Sequence, residues 1–131
     1  FNKVVPIVNQ IKITLRCQRK HMNEVMKERG TILQGYQVFG KEETLEIYKD
    51  ERVKEMALKY HKTTRQIAMK YLVQKGISVI TTHVERIKEN IDVFDFELNE
   101  EEMNYLASFD LLEYNTKPSQ DYRRTLSMLE K

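Results

Sequence analysis

The 131-residue sequence has one cysteine, little net charge and no long apolar run. Cys17 is the single cysteine, which excludes a disulfide within the chain and makes a reducing, cytoplasmic location the simplest expectation. The formal charge of +2 is too small to indicate a nucleic-acid partner. No stretch approaches the ~20 consecutive apolar residues that a membrane span requires. We therefore expect a soluble cytoplasmic protein with neither nucleic acid nor a membrane as a partner.

The composition is that of an ordinary folded protein, with 40% hydrophobic and 32% charged residues. The first residues lack the basic, apolar and small-residue order of a signal peptide, so none is expected. The chain starts at Phe1 without an initiator methionine, which hints at truncation, although processing of a longer chain would look the same. Composition by itself indicates a fold class and no function.

Short apolar runs predict three strands, at residues 4–11, 31–36 and 77–80. The first run has few polar interruptions, which favours a strand buried on both faces. Helical periodicity lies between the runs, and two helices are predicted to end at Gly30 and Gly76 directly before a strand. This alternation is typical of parallel βαβ units.

Two sequence patterns fit capping boxes, in which a polar N-cap residue is followed three positions later by Glu or Gln. Thr63 with Gln66 predicts the start of one helix, and Asn99 with Glu102 predicts the start of another. A further helical pattern runs from His83 to Ile91. The final dozen residues are polar and only weakly periodic, which fits either a mobile tail or a short docked helix.

The predicted fold class is α/β, as a partial (β/α)8 TIM barrel with about three parallel strands and flanking helices. Eight strands close such a barrel, so the remainder is either missing from this chain or supplied by a complementary half-barrel or by self-association. A small self-contained three-layer sandwich is the alternative. Ligands of parallel barrels bind at the C-terminal ends of the strands, so residues leaving each strand are the candidate site.

Several segments in order resemble the C-terminal part of the aldo-keto reductases. They are VNQI at 8–11, GYQVFG at 35–40, ERIKENI at 85–91, FDFEL at 94–98 and EEEM at 100–103. The resemblance runs from about residue 4 to 109 and covers the last three barrel strands. It implies a C-terminal barrel portion at 1–112, followed by a tail at 113–131. It also implies an NAD(P)H-dependent oxidoreductase that reduces aldehydes or ketones to alcohols.

The resemblance assigns cofactor contacts to the ends of the first two strands. Gln10 resembles the glutamine that hydrogen-bonds the nicotinamide carboxamide, for which an amide offers both a donor and an acceptor. Tyr36 resembles the ring that stacks on one nicotinamide face and leaves the other open for hydride transfer. Gln37 stands where the family usually has serine and is expected to face the pyrophosphate.

The adenosine end is assigned to the segment after the third strand. Arg86 resembles the arginine that approaches the adenosine 2′-phosphate, which a guanidinium fits well. Glu89 and Asn90 resemble the residues that contact the adenine amino group. NADP(H) is the expected cofactor and NAD(H) the alternative, with a small carbonyl substrate in the intact enzyme.

The sequence departs from the family pattern at the third strand exit. Residues 81–83 read Thr-Thr-His where the family usually has Pro-Lys-Ser or Pro-Lys-Thr, and the loop before Arg86 is about two residues shorter. Loss of the lysine is expected to weaken the preference for NADPH over NADH.

The family's catalytic Asp, Tyr, Lys and His come from the N-terminal half of the barrel, and we find none of their motifs here. We therefore assign no catalytic residue and no metal ligand, and expect the chain alone to be inactive. The alternative to a reductase segment is a non-catalytic, barrel-like regulatory or interaction protein.

Overall fold

A computed structural model describes residues 3–111, without the side chains of Glu42 and Glu43. The predicted tail at 113–131 lies outside the described residues. The strands are β1 (Val8–Lys12), β2 (Ile32–Tyr36) and β3 (Ser78–Val79). The helices are α1 (Lys20–Glu28), α2 (Glu42–Lys49), α3 (Glu51–Tyr60), α4 (Thr64–Gln74), α5 (Ile87–Ile91) and α6 (Glu100–Ala107), with a 3₁₀ turn at Val84–Arg86.

The three strands of the described chain form one parallel sheet in the order β1-β2-β3. Gln10 is opposite Gln34 between the first two strands, and Gln34 is opposite Ser78 between the second and third. Successive strands are neighbours and are joined through helices, which is how a parallel barrel grows. The predicted parallel arrangement of three strands is confirmed.

The hydrophobic core lies between one face of this sheet and the helices. Leu33 of β2 is 1% exposed, and Ile67 and Leu72 of α4 are equally well buried. Leu106 contributes from α6. The amphipathic helices therefore cover one sheet face within this chain.

The prediction that the first strand spans residues 4–11 and is buried on both faces is wrong. The strand begins at Val8, and the preceding Val4, Val5 and Ile7 are 78%, 58% and 74% exposed. Within residues 3–111, β1 pairs with β2 alone and therefore forms an edge of the sheet. An apolar run predicts that a segment is buried, but burial requires neighbouring elements that cover it. Residues 3–111 provide no such element on the free side of β1.

Helix α2 lies in the charged stretch after Gly40, for which the sequence predicted no buried face of its own. Thr44 and Ile47 are buried on it, and they are three residues apart, as on one side of a helix. Because α2 is short and carries several charged residues, the sequence pattern does not reveal this narrow buried face.

Both predicted capping boxes are present. The Thr63 hydroxyl accepts from the Gln66 amide at 3.2 Å, and the Gln66 side chain accepts from the Thr63 amide at 2.8 Å. Asn99 and Glu102 exchange the equivalent bonds at 2.8 and 2.9 Å. The predicted helix at 83–91 is instead a 3₁₀ turn followed by the short helix α5.

Polar groups inside the helical layer are paired with one another. The Tyr71 hydroxyl donates to Gln18 Oε1 at 2.6 Å, and Gln18 Nε2 donates to the carbonyls of Leu15 and Leu106, each at 2.9 Å. No helix within the described range 3–111 is long and apolar enough to cross a membrane.

Candidate functional site

A row of polar side chains crosses the sheet face that the helices leave open. Gln10 Nε2 donates to Gln34 Oε1 at 3.1 Å, and Gln34 Nε2 donates to Ser78 Oγ at 3.4 Å. These residues are register partners on neighbouring strands, so their side chains leave the sheet on the same side. The candidate residue Gln10 is therefore exposed on the open face and anchored by one hydrogen bond.

Tyr36 ends β2 on the same open face, two residues beyond Gln34. Because strand side chains alternate, Tyr36 lies on the same side of the sheet as Gln34. Gln10, the partner of Gln34 on β1, lies on that side too. The Tyr36 residue is 40% exposed. An aromatic residue this exposed at a strand end leaves a ring surface for contact with another group.

A groove of about 450 Å³ lies where β2 and β3 end. Its lining is formed by Tyr36, Gln37, Val38, Phe39, Gly40, Lys41, Arg65, Ile80, Thr81, Thr82 and His83. The groove thus joins the two turn segments that follow β2 and β3, at the C-terminal rim of the parallel sheet.

The turn after β2 holds an unusual backbone. Gln37 has a φ of 50° and Gly40 a φ of 66°, both in the left-handed region, and the Gly40 amide donates to the Gln37 carbonyl at 2.9 Å. A Cβ at residue 40 would collide with the Thr44 side chain. Glycine is therefore required where the chain leaves the groove and enters α2.

The charged side chains described in the groove lining are basic. They are Lys41 and Arg65, and none of the described lining side chains is a carboxylate. His83 Nδ1 lies 3.3 Å from Glu85 Oε1 in the 3₁₀ turn. This distribution of charge suits an anionic ligand.

Arg65 is held over two aromatic rings, of which Phe39 lines the groove. Its guanidinium carbon lies 5.0 Å from the Phe39 ring centre and 5.9 Å from that of Tyr48. The Tyr48 hydroxyl donates to the Phe39 carbonyl at 3.2 Å, which connects the two aromatic residues. Burial raises the pKa of Tyr48 to about 12, although the charge of Arg65 acts in the opposite direction.

Arg86, Glu89 and Asn90 lie on the 3₁₀ turn and α5, after the groove, and do not line it. All three are half-buried. Asn90 Nδ2 donates to Thr81 Oγ1 at 2.8 Å, and Glu89 Oε1 accepts from Thr63 Oγ1 at 2.7 Å. The side chains of Asn90 and Glu89 therefore connect α5 to the exit of β3 and to the start of α4.

The structure brings Tyr36 and Gln37 together in the groove and leaves Gln10 on the adjoining sheet face. Sequence reasoning missed two groove cations, Lys41 and Arg65. A helix that precedes a parallel strand begins at the rim where the strands end, so the first turn of α4 was a place to search. Among residues 3–111, no cluster of three or more His, Cys, Asp or Glu side chains is placed to hold a metal ion.

A parallel sheet with an open groove at its C-terminal rim is the arrangement expected of a segment of a (β/α)8 barrel. The aldo/keto reductase family model matches residues 2–111, and the chain belongs to that family.

Similar proteins agree with this assignment. The chain is 33% identical over 111 residues to an uncharacterised oxidoreductase of Caenorhabditis elegans, covering 83% of this chain and 34% of that protein. It is 32% identical to the 9,11-endoperoxide prostaglandin H2 reductase of Trypanosoma cruzi, covering 79% of this chain and 38% of the reductase. A solved aldo-keto reductase in complex with NADPH superposes with a TM-score of 0.77 at 28% identity, covering 84% and 37% of the two chains. The chain thus spans somewhat more than a third of the length of these relatives.

Proposed function

We propose that this chain is the dinucleotide-binding segment of an NADP(H)-dependent aldo-keto reductase that reduces aldehydes or ketones to alcohols. The observation that carries the proposal is the groove at the ends of β2 and β3. It combines the exposed Tyr36 ring with basic residues and, among its described side chains, no carboxylate. An aromatic surface beside positive charge fits a ligand made of flat rings joined by phosphates.

The nicotinamide end is assigned to Tyr36 and Gln10. The Tyr36 ring supports one face of the nicotinamide, and Gln10 reaches the carboxamide from the same face of the sheet. Gln10 uses one amide N–H on Gln34, so it keeps a second N–H and its carbonyl oxygen for a ligand amide. Bound NADPH supplies the hydride, and these two residues orient the ring that carries it.

The adenosine end is assigned to the segment from Arg86 to Asn90. Arg86 follows the exit of β3 on a 3₁₀ turn, from which its guanidinium would pair with the 2′-phosphate. Asn90 holds Thr81 in place through its side-chain amide, so its first role is to position the loop beside the adenosine. Glu89 accepts a hydrogen bond from Thr63 and so positions α5 against the start of α4. Arg86 is therefore the residue of this segment that we expect to select NADPH over NADH.

Reduction of a carbonyl also needs a proton donor beside the substrate oxygen. In our assignment Tyr36 supports the nicotinamide and is not that donor. We place the donor in a part of the barrel outside this chain. The purified 131-residue chain should therefore bind NADPH and show no carbonyl-dependent oxidation of it; measurable turnover by the pure polypeptide would disprove this part of the proposal.

Cofactor binding tests the site directly. The sequence contains no tryptophan, so the fluorescence of NADPH can be followed without a tryptophan background. We expect Tyr36→Ala to weaken NADPH and NADH binding alike, by up to about 10-fold, because ring stacking contributes about 0.5–1.5 kcal/mol. Arg86→Ala should weaken NADPH by about 10-fold or more and NADH little, because the lost contact is to the 2′-phosphate.

Arg29→Ala is a matched control, since Arg29 is exposed where α1 ends, before β2 begins and therefore away from the strand ends that form the groove. If the wild-type chain binds no dinucleotide, the proposed function is wrong. If it binds NADPH and neither site variant weakens it, the residue assignment is wrong.

A further inference from the structure

We infer that Arg65 binds the pyrophosphate of the dinucleotide as a fixed cation on the groove wall. The inference rests on the proposed function and deepens it. Arg65 is not among the candidate residues taken from the family pattern. Its role is inferred from the geometry of the groove.

The first observation is where the side chain originates. Arg65 is the second residue of α4, and the Thr63–Gln66 capping box fixes the first turn of that helix. Because α4 leads into β3, its N-terminal turn lies at the rim where the parallel strands end. The Arg65 side chain lines the groove together with Tyr36 and His83.

The second observation is what holds the guanidinium. It lies over the Phe39 and Tyr48 rings, at 5.0 and 5.9 Å, and no described carboxylate lies within ion-pair distance of it. Attraction between a cation and an aromatic ring does not use the N–H donors of a guanidinium. Arg65 is thus a held cation whose donors remain available to an anion.

The third observation is position along the groove. The residues assigned to the nicotinamide lie at the end of β2, and those assigned to the adenosine follow β3. Arg65 lines the groove together with residues of both strand exits. A dinucleotide that reaches from one exit to the other would bring its pyrophosphate to this groove. Lys41 also lines the groove, but it is exposed, whereas Arg65 is half-buried and pinned by rings, so less conformational freedom is lost when Arg65 binds.

The test is a comparison of NADPH and NADH binding by the 131-residue chain and its Arg65→Ala variant. Both cofactors carry the pyrophosphate, so we expect both to bind about 10-fold more weakly, with their ratio unchanged. The dependence of binding on salt should also become shallower, because one charge contact is lost. Inorganic pyrophosphate should compete with NADPH for the wild-type chain and compete poorly for Arg65→Ala.

Two further variants control the experiment. Arg29→Ala removes the same type of side chain from the opposite end of the sheet and should leave binding unchanged. Arg65→Lys keeps the charge without the planar donors, and should fall between wild type and Arg65→Ala. Arg65→Lys is also the test that remains if circular dichroism shows that Arg65→Ala has not folded.

The outcomes separate the inference from the function on which it rests. A loss for NADPH without a loss for NADH would place Arg65 at the 2′-phosphate and overturn the inference. A second outcome is that Arg65→Ala and Arg65→Lys both bind the two cofactors as wild type does, while Tyr36→Ala and Arg86→Ala bind NADPH more weakly. That result would overturn the inference and leave the proposed function intact. Failure of the wild-type chain to bind either cofactor would overturn both.

Discussion

The two faces of strand β2 differ in their burial. Leu33 and Gly35 point into the helical layer and are buried, whereas Ile32 and Tyr36 on the other face are 48% and 40% exposed. Alternation along one strand therefore separates two tasks. Packing that stabilises the fold lies on the helix side, and groups available to a ligand lie on the open side.

The largest expected effect on stability comes from truncating an aliphatic side chain to alanine on each of the two faces in turn. Leu33→Ala should lower the free energy of unfolding by about 2–5 kcal/mol, because it removes a buried side chain and leaves a cavity. Ile32→Ala should cost less than about 1 kcal/mol, since nearly half of that residue is already exposed. Urea unfolding of both variants measures the difference; similar losses for the two would show that the open face is also packed.

The next effect concerns a polar group within the helical layer. Tyr71→Phe should cost about 1–3 kcal/mol, because it removes the donor to Gln18 Oε1 and leaves that buried oxygen unsatisfied. Burial raises the pKa of Tyr71, in keeping with a hydroxyl that stays neutral and donates. Tyr36→Phe on the open face is the control and should not change stability; thermal unfolding that shifts equally for both would contradict this contrast.

The smallest of these effects depends on pH. Glu102 accepts from Lys59 Nζ and from the Tyr60 hydroxyl, both at 2.6 Å. Burial alone would raise the pKa of Glu102, but these bonds and one from the Asn99 amide lower it below its ordinary value of 4.5. The carboxylate therefore stabilises the fold above that value, and the contribution is lost as the pH falls through the lowered pKa.

Glu102→Gln keeps the capping box, in which glutamine also serves, and removes the charge. We expect the variant to be less stable than wild type by about 1 kcal/mol at pH 7, because the ion pair is partly exposed. The difference should shrink as the pH falls from about 4.5 through the lowered pKa of Glu102. A gap that stays constant over this range, in urea unfolding at each pH, would show that the charge of Glu102 does not stabilise the fold.

Local signals predicted the helical side of the molecule well. The Thr63 and Asn99 capping boxes and the glycines that end two helices depend on residues a few positions apart, so the sequence contains the whole pattern. The strand order also followed, because helical crossovers place successive parallel strands side by side.

Features that depend on distant neighbours were not predictable. The exposure of Val4 and Ile7 follows from what pairs with β1, and the Gln10–Gln34–Ser78 row requires the register of all three strands. The Arg65 side chain enters the groove because of where α4 packs, which no local pattern specifies. The family resemblance supplied candidate ligand contacts, but it contained no information about a cation on a different element.

The edge position of β1 has a practical consequence for purified protein. Within residues 3–111 one side of β1 has no strand partner, and the apolar Val4, Val5 and Ile7 stand beside it. A bare edge with apolar flanks is a template on which further chains add strands, so precipitation should rise steeply with protein concentration. Storage at low concentration should therefore extend the useful lifetime of a preparation.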